Sequence, residues 1–225
     1  MSRQVLGILF TIFLCSVAPS VNAADAPLQT ARVVVPRPEK LLPPAAQASA
    51  REVIEGLYGK LLSVMQKGEK LGFNGRYDAL KATIERSFDL PLMTRFAAGT
   101  GWMKADAVQQ QKLINAFSDF SISTYASRFK AFDNEEFRIV GEKPAAGGGL
   151  IVETQLIPNG DPAVTLNYLL RQDKQGQWRI NDVYLDATIS EMATRRSEFG
   201  AVMRDDGVEA LIGSIALKAR QMRDL

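Results

Sequence analysis

No histidine occurs in the 225-residue chain. Its absence removes the commonest general base, the commonest metal ligand and every Ser-His or Cys-His catalytic pairing. Cysteine is nearly missing too. The one present, Cys15, follows an apolar run from Val5 to Leu14. That run is far shorter than the roughly 20 residues that span a membrane. Arg3 before it and small residues ending in Val21-Asn22-Ala23 after it complete the three-part order of a secretory signal. Residues 1–23 are therefore expected to be removed, with Ala24 as the new start. An uncleaved N-terminal anchor begins in the same way and is the alternative. Leu14 stands before Cys15 where lipoprotein processing wants a small residue, so acylation is not expected. Once Cys15 is gone no thiol remains, which excludes a disulfide scaffold, a thiolate metal site and a cysteine nucleophile.

A charge excess is lacking as well. Loss of residues 1–23 removes Arg3 and no acid, so 26 basic side chains remain against 25 acidic ones. Nucleic acid is not expected as a partner, because phosphate backbones are bound by clustered Lys and Arg in excess. No internal repeat is visible, and about 200 processed residues suit one domain with a sizeable core.

Turning to what is present, residues 24–47 are rich in Ala and Pro, including Pro36, Pro38, Pro43 and Pro44, and read as a flexible leader before a domain over 48–225. Helical spacing of Val53, Leu57, Leu61 and Val64 predicts a helix from Ala48 to about Lys67, ended by Gly68 and Gly72. A second is predicted from Tyr77 to Phe88. Asp89 is placed to cap a short third one that opens with Leu90-Pro91 and contains Phe96, before Gly99-Thr100-Gly101 breaks it. Asp106 caps the longest, to about Phe132. On that helix Leu113, Ile114, Phe117, Phe120, Tyr125, Phe129 and Phe132 cover about half the circumference, opposite Lys112, Asn115, Asp119, Ser123 and Lys130. So broad an apolar face packs on more than one neighbour or borders a cavity.

After Phe132 the period changes to two. Four strands are predicted, Phe137–Glu142, Leu150–Ile157, Ala163–Arg171 and Trp178–Leu185, with hairpin breaks at Gly147–Gly149, Asn159–Pro162 and Asp173–Gln177. Val152, Thr154 and Leu156 alternate with Glu153 and Gln155; Leu166, Tyr168 and Leu170 alternate with Thr165, Asn167 and Arg171. One face of an antiparallel meander is thus apolar and the other wet. Two helices follow, Ile189–Met203 and Val208–Met222, split by Asp205-Asp206-Gly207. The fold class is α+β: a curved, cone-like antiparallel four-stranded sheet covered by N- and C-terminal helices. A wide apolar helix over an apolar sheet face fits an enclosed lipid pocket as well as a filled core.

Catalytic signatures are missing: no P-loop, no dinucleotide fingerprint, no Gly-x-Ser-x-Gly elbow and no carboxylate-histidine set. Gly147–Gly149 has no helix after it and reads as a loop. No cofactor, metal or catalytic residue is expected. Asp182 and Asp186 beside Tyr184 loosely resemble the acid-plus-tyrosine set of a cone-shaped isomerase or hydrolase, in which burial raises a carboxyl pKa. A polar strand end and a cap for the next helix account for the same residues, and that structural reading is preferred. A plain interaction module with an ordinary core is a third possibility. Lys218, Arg220 and Arg223 on the last helix would suit an acidic partner or a solvated face.

Several motifs occur together and in order. They are Phe88-Asp89-Leu90-Pro91-Leu92-Met93-Thr94-Arg95, Gly101-Trp102, the Gln109–Phe120 helix leading to Thr124-Tyr125-Ala126, Leu166-Asn167-Tyr168-Leu169-Leu170-Arg171, Trp178-Arg179-Ile180-Asn181-Asp182-Val183 and Arg196-Ser197-Glu198-Phe199. From about Ala48 onward the chain resembles the periplasmic lipid-carrier family that includes the soluble shuttle of the Mla phospholipid pathway, the toluene-tolerance family. Asp186-Ala187-Thr188-Ile189-Ser190 and Arg195 depart from the phospholipid branch and look more like the hopanoid-associated one. The resemblance implies a periplasmic, non-catalytic carrier that encloses hopanoid or phospholipid. Its implied partners are an inner-membrane lipid transporter and an outer-membrane complex. The expected lipid-binding residues are Phe96, Trp102, Phe117, Phe120, Tyr125, Val152, Leu166, Tyr168 and Leu170.

Overall fold

The computed structural model describes residues 48–224. The expected export signal and the Ala/Pro-rich leader lie outside the described residues, so both remain expectations.

Helix α1, Ala50–Met65, starts at a reciprocal cap. The Ser49 hydroxyl accepts from the Glu52 N–H, and the Glu52 carboxylate accepts from the Ser49 N–H. That helix ends close to the predicted Lys67, and Gly68 opens α2, Gly68–Ser87, which starts earlier than the predicted Tyr77 and is interrupted at Gly72 by a left-handed backbone (φ 60°). The helix tolerates that break because only Gly adopts it at little cost. Asp89 caps α3, Leu90–Ala98, through the Leu92 N–H, with Pro91 in the first turn. A 3₁₀ turn over Gly99–Lys104 then leads to α4, Ala107–Arg128, where Asp106 and Gln109 form a second reciprocal cap. Helix α4 stops short of the predicted Phe132, its C-cap being Phe129.

Five antiparallel strands follow in the order of the sequence: β1 Glu136–Pro144, β2 Leu150–Ile157, β3 Val164–Gln172, β4 Trp178–Leu185 and β5 Ile189–Ser190. The meander is as expected, with a two-residue fifth strand added because Tyr184 and Leu185 pair onward to Ser190 and Ile189. Strand β4 carries a bulge. Leu170 pairs with Ile180, whereas Leu169 pairs with Asp182, so Asn181 is an extra residue. Helices α5, Glu191–Asp205, and α6, Gly207–Gln221, close the chain.

Helix α1 lies against β1, β2 and β4; α2, α3 and α5 also reach β4. One part of the interior is filled solid, with Ile54, Leu57, Leu61, Leu80 and Ile180 fully buried. Helix α4 packs on α2, α3 and α6. Of the predicted wet side, Lys112 and Asn115 are exposed and Asp119 and Lys130 half-buried, whereas Ser123 is buried beside Ile122 and Ala126. The Ser123 hydroxyl has no hydrogen-bond partner among the described residues. Asn167, expected on the wet sheet face, is also buried, because its side-chain oxygen accepts the Thr154 N–H. On α6 and beyond, Lys218 already pairs with Glu198, and Arg223 with Asp119. No helix among the described residues is long and apolar enough to cross a membrane.

Candidate functional site: an apolar cavity between helix α4 and the sheet

Between α4 and the inner sheet face lies a cavity of about 1330 Å³. Pockets for drug-sized ligands run to about 300–1,000 Å³, so this one admits something larger. Helix α4 contributes Phe117, Phe120 and Tyr125, and the sheet contributes Leu156, Leu166 and Tyr168. Two further walls come from Phe88 and Met93 at the α2–α3 junction and from Met192 on α5. A half-circumference apolar face on α4 is what makes this possible: it supplies one whole wall while α6 covers its back.

Aromatic rings brace the walls against one another. Tyr125 lies between Phe88 and Phe129, with ring centroids 5.6 Å from each, edge-on to the first and stacked on the second. From α1, Tyr58 stacks on Phe137 at 4.5 Å and meets Tyr168 edge-on at 5.8 Å. The Tyr58 hydroxyl is bonded to the Thr154 hydroxyl at 2.5 Å, and the Thr154 hydroxyl donates in turn to the Leu166 carbonyl. Burial pushes the Tyr58 phenol up to about 12, and burial raises the phenols of Tyr125 and Tyr168 further. All three are uncharged in any physiological medium, so the aromatic walls carry no ionised group.

Charge is confined to other parts of the lining. Arg195 is buried and ion-paired to Glu198 at 3.1 Å and to Glu191 at 3.4 Å. Its guanidinium carbon sits 4.9 Å from the centroid of the Phe120 ring, while its Nε has no partner among the described residues. Where α2 begins and α4 ends, Arg76, Arg128 and Lys130 also face the cavity, together with Glu69, Asp133 and Glu135.

The nine residues named from the sequence divide. Phe117, Phe120, Tyr125, Leu166 and Tyr168 line the cavity. Val152 and Leu170 face the same way along their strands but are fully buried in the filled part of the core. Phe96 lies outside it. The buried side of the short α3 is Leu90, Met93, Thr94, Ala97 and Ala98, which leaves Phe96 45% exposed with Arg196 over its ring at 5.1 Å. Trp102, on the 3₁₀ turn that follows α3, joins Phe96 in a separate surface groove.

Sequence reasoning passed over Val183 and Leu185, which the β4 bulge turns into the cavity, and over Arg76, and it marked Arg195 as a departure from the phospholipid branch without placing it on the cavity. For the first pair the apolar alternation was readable but its phase was not. For Arg76 there was no signal, since a lone Arg in a helix ordinarily reads as solvated.

Asp182 does not line the cavity. It accepts hydrogen bonds from the Ser190 hydroxyl at 2.6 Å, the Met192 N–H at 3.1 Å and the Val183 N–H, which makes it a fastener between β4 and the start of α5. Burial pushes its carboxyl above the ordinary value, against the pull of those three donors. Tyr184 pairs with Asn167 on the side away from the cavity, and Asp186 is exposed at a left-handed turn position. No cluster of metal-ligating side chains occurs among the described residues.

With this geometry in place, comparison with known proteins gives two results. The family described as MlaC protein matches residues 55–216. The chain belongs to the MlaC protein family. A solved structure of the same fold is the phospholipid-binding protein from Ralstonia solanacearum in complex with a phospholipid. It superposes with a TM-score of 0.68 at 21% identity, over 78% of this chain and 99% of that one.

Proposed function

We propose that this member of the MlaC protein family is a periplasmic lipid-binding shuttle. It carries hopanoid or phospholipid between the inner and outer membranes as one component of a lipid transport system. The observation that carries the reading is the cavity of about 1330 Å³ walled by Phe117, Phe120, Tyr125, Leu166 and Tyr168. Those five are the residues to which lipid contact is assigned. A core that could be filled at lower cost by larger side chains has been left hollow, and an apolar occupant is what restores the lost contacts. Affinity would come from removing lipid tails from water at about 25 cal/mol per Å² of apolar surface. The Ralstonia solanacearum protein, which holds a phospholipid within the same fold, supports a lipid as the class of occupant.

No covalent chemistry is assigned to the protein. The acid-plus-tyrosine alternative loses support because Asp182 is occupied as a fastener and Tyr184 faces away from the cavity. Export follows from the signal over residues 1–23, and an inner-membrane lipid transporter and an outer-membrane complex are the partners at either end of the transfer.

The reading is tested by expressing the full chain in a membrane-bearing host, purifying it, extracting with organic solvent and identifying the extract by mass spectrometry. Near-stoichiometric phospholipid or hopanoid is expected. An extract that stays empty after incubation with added phospholipid and hopanoid would overturn it.

A further inference from the structure

Of the two buried cations on the cavity lining, Arg195 is ion-paired and Arg76 is not. Arg76, on α2 just beyond the Gly72 break, is only 8% exposed and lies on the cavity wall. Its Nε donates to the Ala126 carbonyl at 2.8 Å and its Nη1 to the Gly68 carbonyl at 2.9 Å. Those two bonds hold the guanidinium plane in place between the start of α2 and the end of α4. Nη2 makes no hydrogen bond among the described residues, and Arg76 takes part in none of their ion pairs.

Arginine stays protonated even under these conditions, although burial lowers its pKa. A cation taken out of water without a counter-charge is costly, and the carbonyl dipoles only partly offset that cost. Arg128 and Lys130, beyond the Ala126 carbonyl that Arg76 holds and on the same cavity lining, are half-buried and form no ion pair among the described residues either. Glu135, the buried acid of the same wall, is turned onto the backbone N–H of Asp133 at 2.6 Å. Glu69 and Asp133 are exposed on the rim. The local packing is tight as well: a Cβ at Gly68 would collide with the Lys130 carbonyl, so this junction of α2 and α4 is fixed rather than adaptable.

We infer that Arg76, with Arg128 and Lys130 beside it, is an anion subsite of the cavity that takes the phosphate group of an amphipathic lipid while the tails occupy the aromatic interior. This rests on the carrier reading above and sharpens it. A guanidinium held by two of its nitrogens and open at the third is preorganised for a charge-assisted bond to a phosphate oxygen. A cargo made only of hydrocarbon leaves the buried charge without a partner. The subsite therefore selects phosphate-bearing lipids over neutral ones with the same tails.

The test uses two lipids that differ in the phosphate alone, phosphatidic acid and diacylglycerol with identical acyl chains. Full-chain protein stripped of lipid is incubated with a dispersion of each, and the retained lipid is quantified by mass spectrometry. Phosphatidic acid should be retained about tenfold or more over diacylglycerol, the scale of one charge-assisted hydrogen bond in a dry site. Arg76→Gln should bring the two to near equality while still retaining both, and Arg76→Lys should keep part of the preference. Equal retention by the unsubstituted protein overturns the subsite and leaves the carrier intact. Failure to retain either lipid, together with failure to retain added hopanoid, overturns the carrier itself. Inorganic phosphate is tested alone by thermal unfolding: protection that disappears in Arg76→Gln, coupled with equal retention of the two lipids, would mean a free ion is bound and overturn the headgroup assignment. Loss of stability in Arg76→Gln with an unchanged lipid ratio would mean that Arg76 only ties α2 to α4.

Discussion

The guanidinium carbon of Arg195 sits over Phe120, 4.9 Å from the ring centroid, while two of its nitrogens reach Glu198 and Glu191. One side chain thus joins α5 to α4 across the edge of the cavity. Removing it takes one partner from Glu191 and Glu198, the latter keeping Lys218, and uncovers an aromatic wall. Arg195→Ala should cost about 1–3 kcal/mol in urea denaturation. Arg195→Met, which keeps an apolar stem over Phe120, should cost less. Unfolding midpoints identical to the unsubstituted protein for both variants would show that the bridge contributes nothing.

Leu166 and Leu170 sit on the same face of β3 four residues apart, one on the cavity wall and one in the solid core. Opposite responses are expected. Leu170→Ala should destabilise by about 2–5 kcal/mol, as large-to-small changes in filled cores do. Leu166→Trp has empty space to enter, so stability should change by about 1 kcal/mol or less, since no overpacking arises. Retained lipid measured by mass spectrometry should fall by more than half in Leu166→Trp and be unchanged per folded molecule in Leu170→Ala. A Leu166→Trp protein that loads as fully as the original would remove this wall from the binding site.

Burial lifts the Asp182 carboxyl above 3.8, so the native state holds that proton more tightly than the unfolded chain does. By linkage its contribution favours folding while it is protonated and is lost as pH rises from about 4 through the raised range. Asp182→Asn has no such titration. The stability difference between the two proteins, followed by urea midpoints against pH, should shift in favour of Asp182→Asn across that window. A difference that is flat with pH, or moves the other way, contradicts the assignment. Asp182→Ala, which strands three donors, should be the worse variant at every pH.

For export, the mature N-terminus should be Ala24. Intact mass and N-terminal sequencing of protein recovered from the periplasm of an expressing host check this directly. Full-length protein retained with the membrane fraction would mean the first 23 residues are an anchor, and a chain so tethered does not cross between membranes.

Much of the fold was legible because its signals are local. Asp89 and Asp106 announce helix starts through side chains that bond their own next turn, and the alternation in β2 and β3 names the inward residues directly. The broad face of α4 was legible as a face, not as a cavity wall, since a ring pressed on a neighbour and a ring bordering empty space have the same period. Ser123 and Phe96 were misplaced for one reason. Which second face of a helix is covered depends on a partner distant in sequence, here α6 over α4, whereas among the described residues no helix covers Phe96 on the outer side of α3. Arg76 gave no warning at all, because its meaning comes from the carbonyls of Gly68 and Ala126 and from the missing acid.

The extra residue in β4 decides what kind of chemistry the cavity can host. With unbroken pairing from Ile180 onward, Asp182 would stand opposite Tyr168 and Tyr184 opposite Leu166, and an acid and a phenol would project into the hollow. Asn181 shifts the frame by one, so Val183 and Leu185 take those places and the acid is sent to fasten a helix instead. In a scaffold of this shape, greasy container and reactive vessel are therefore neighbours in sequence space, separated by a single codon gained or lost rather than by a redesigned wall.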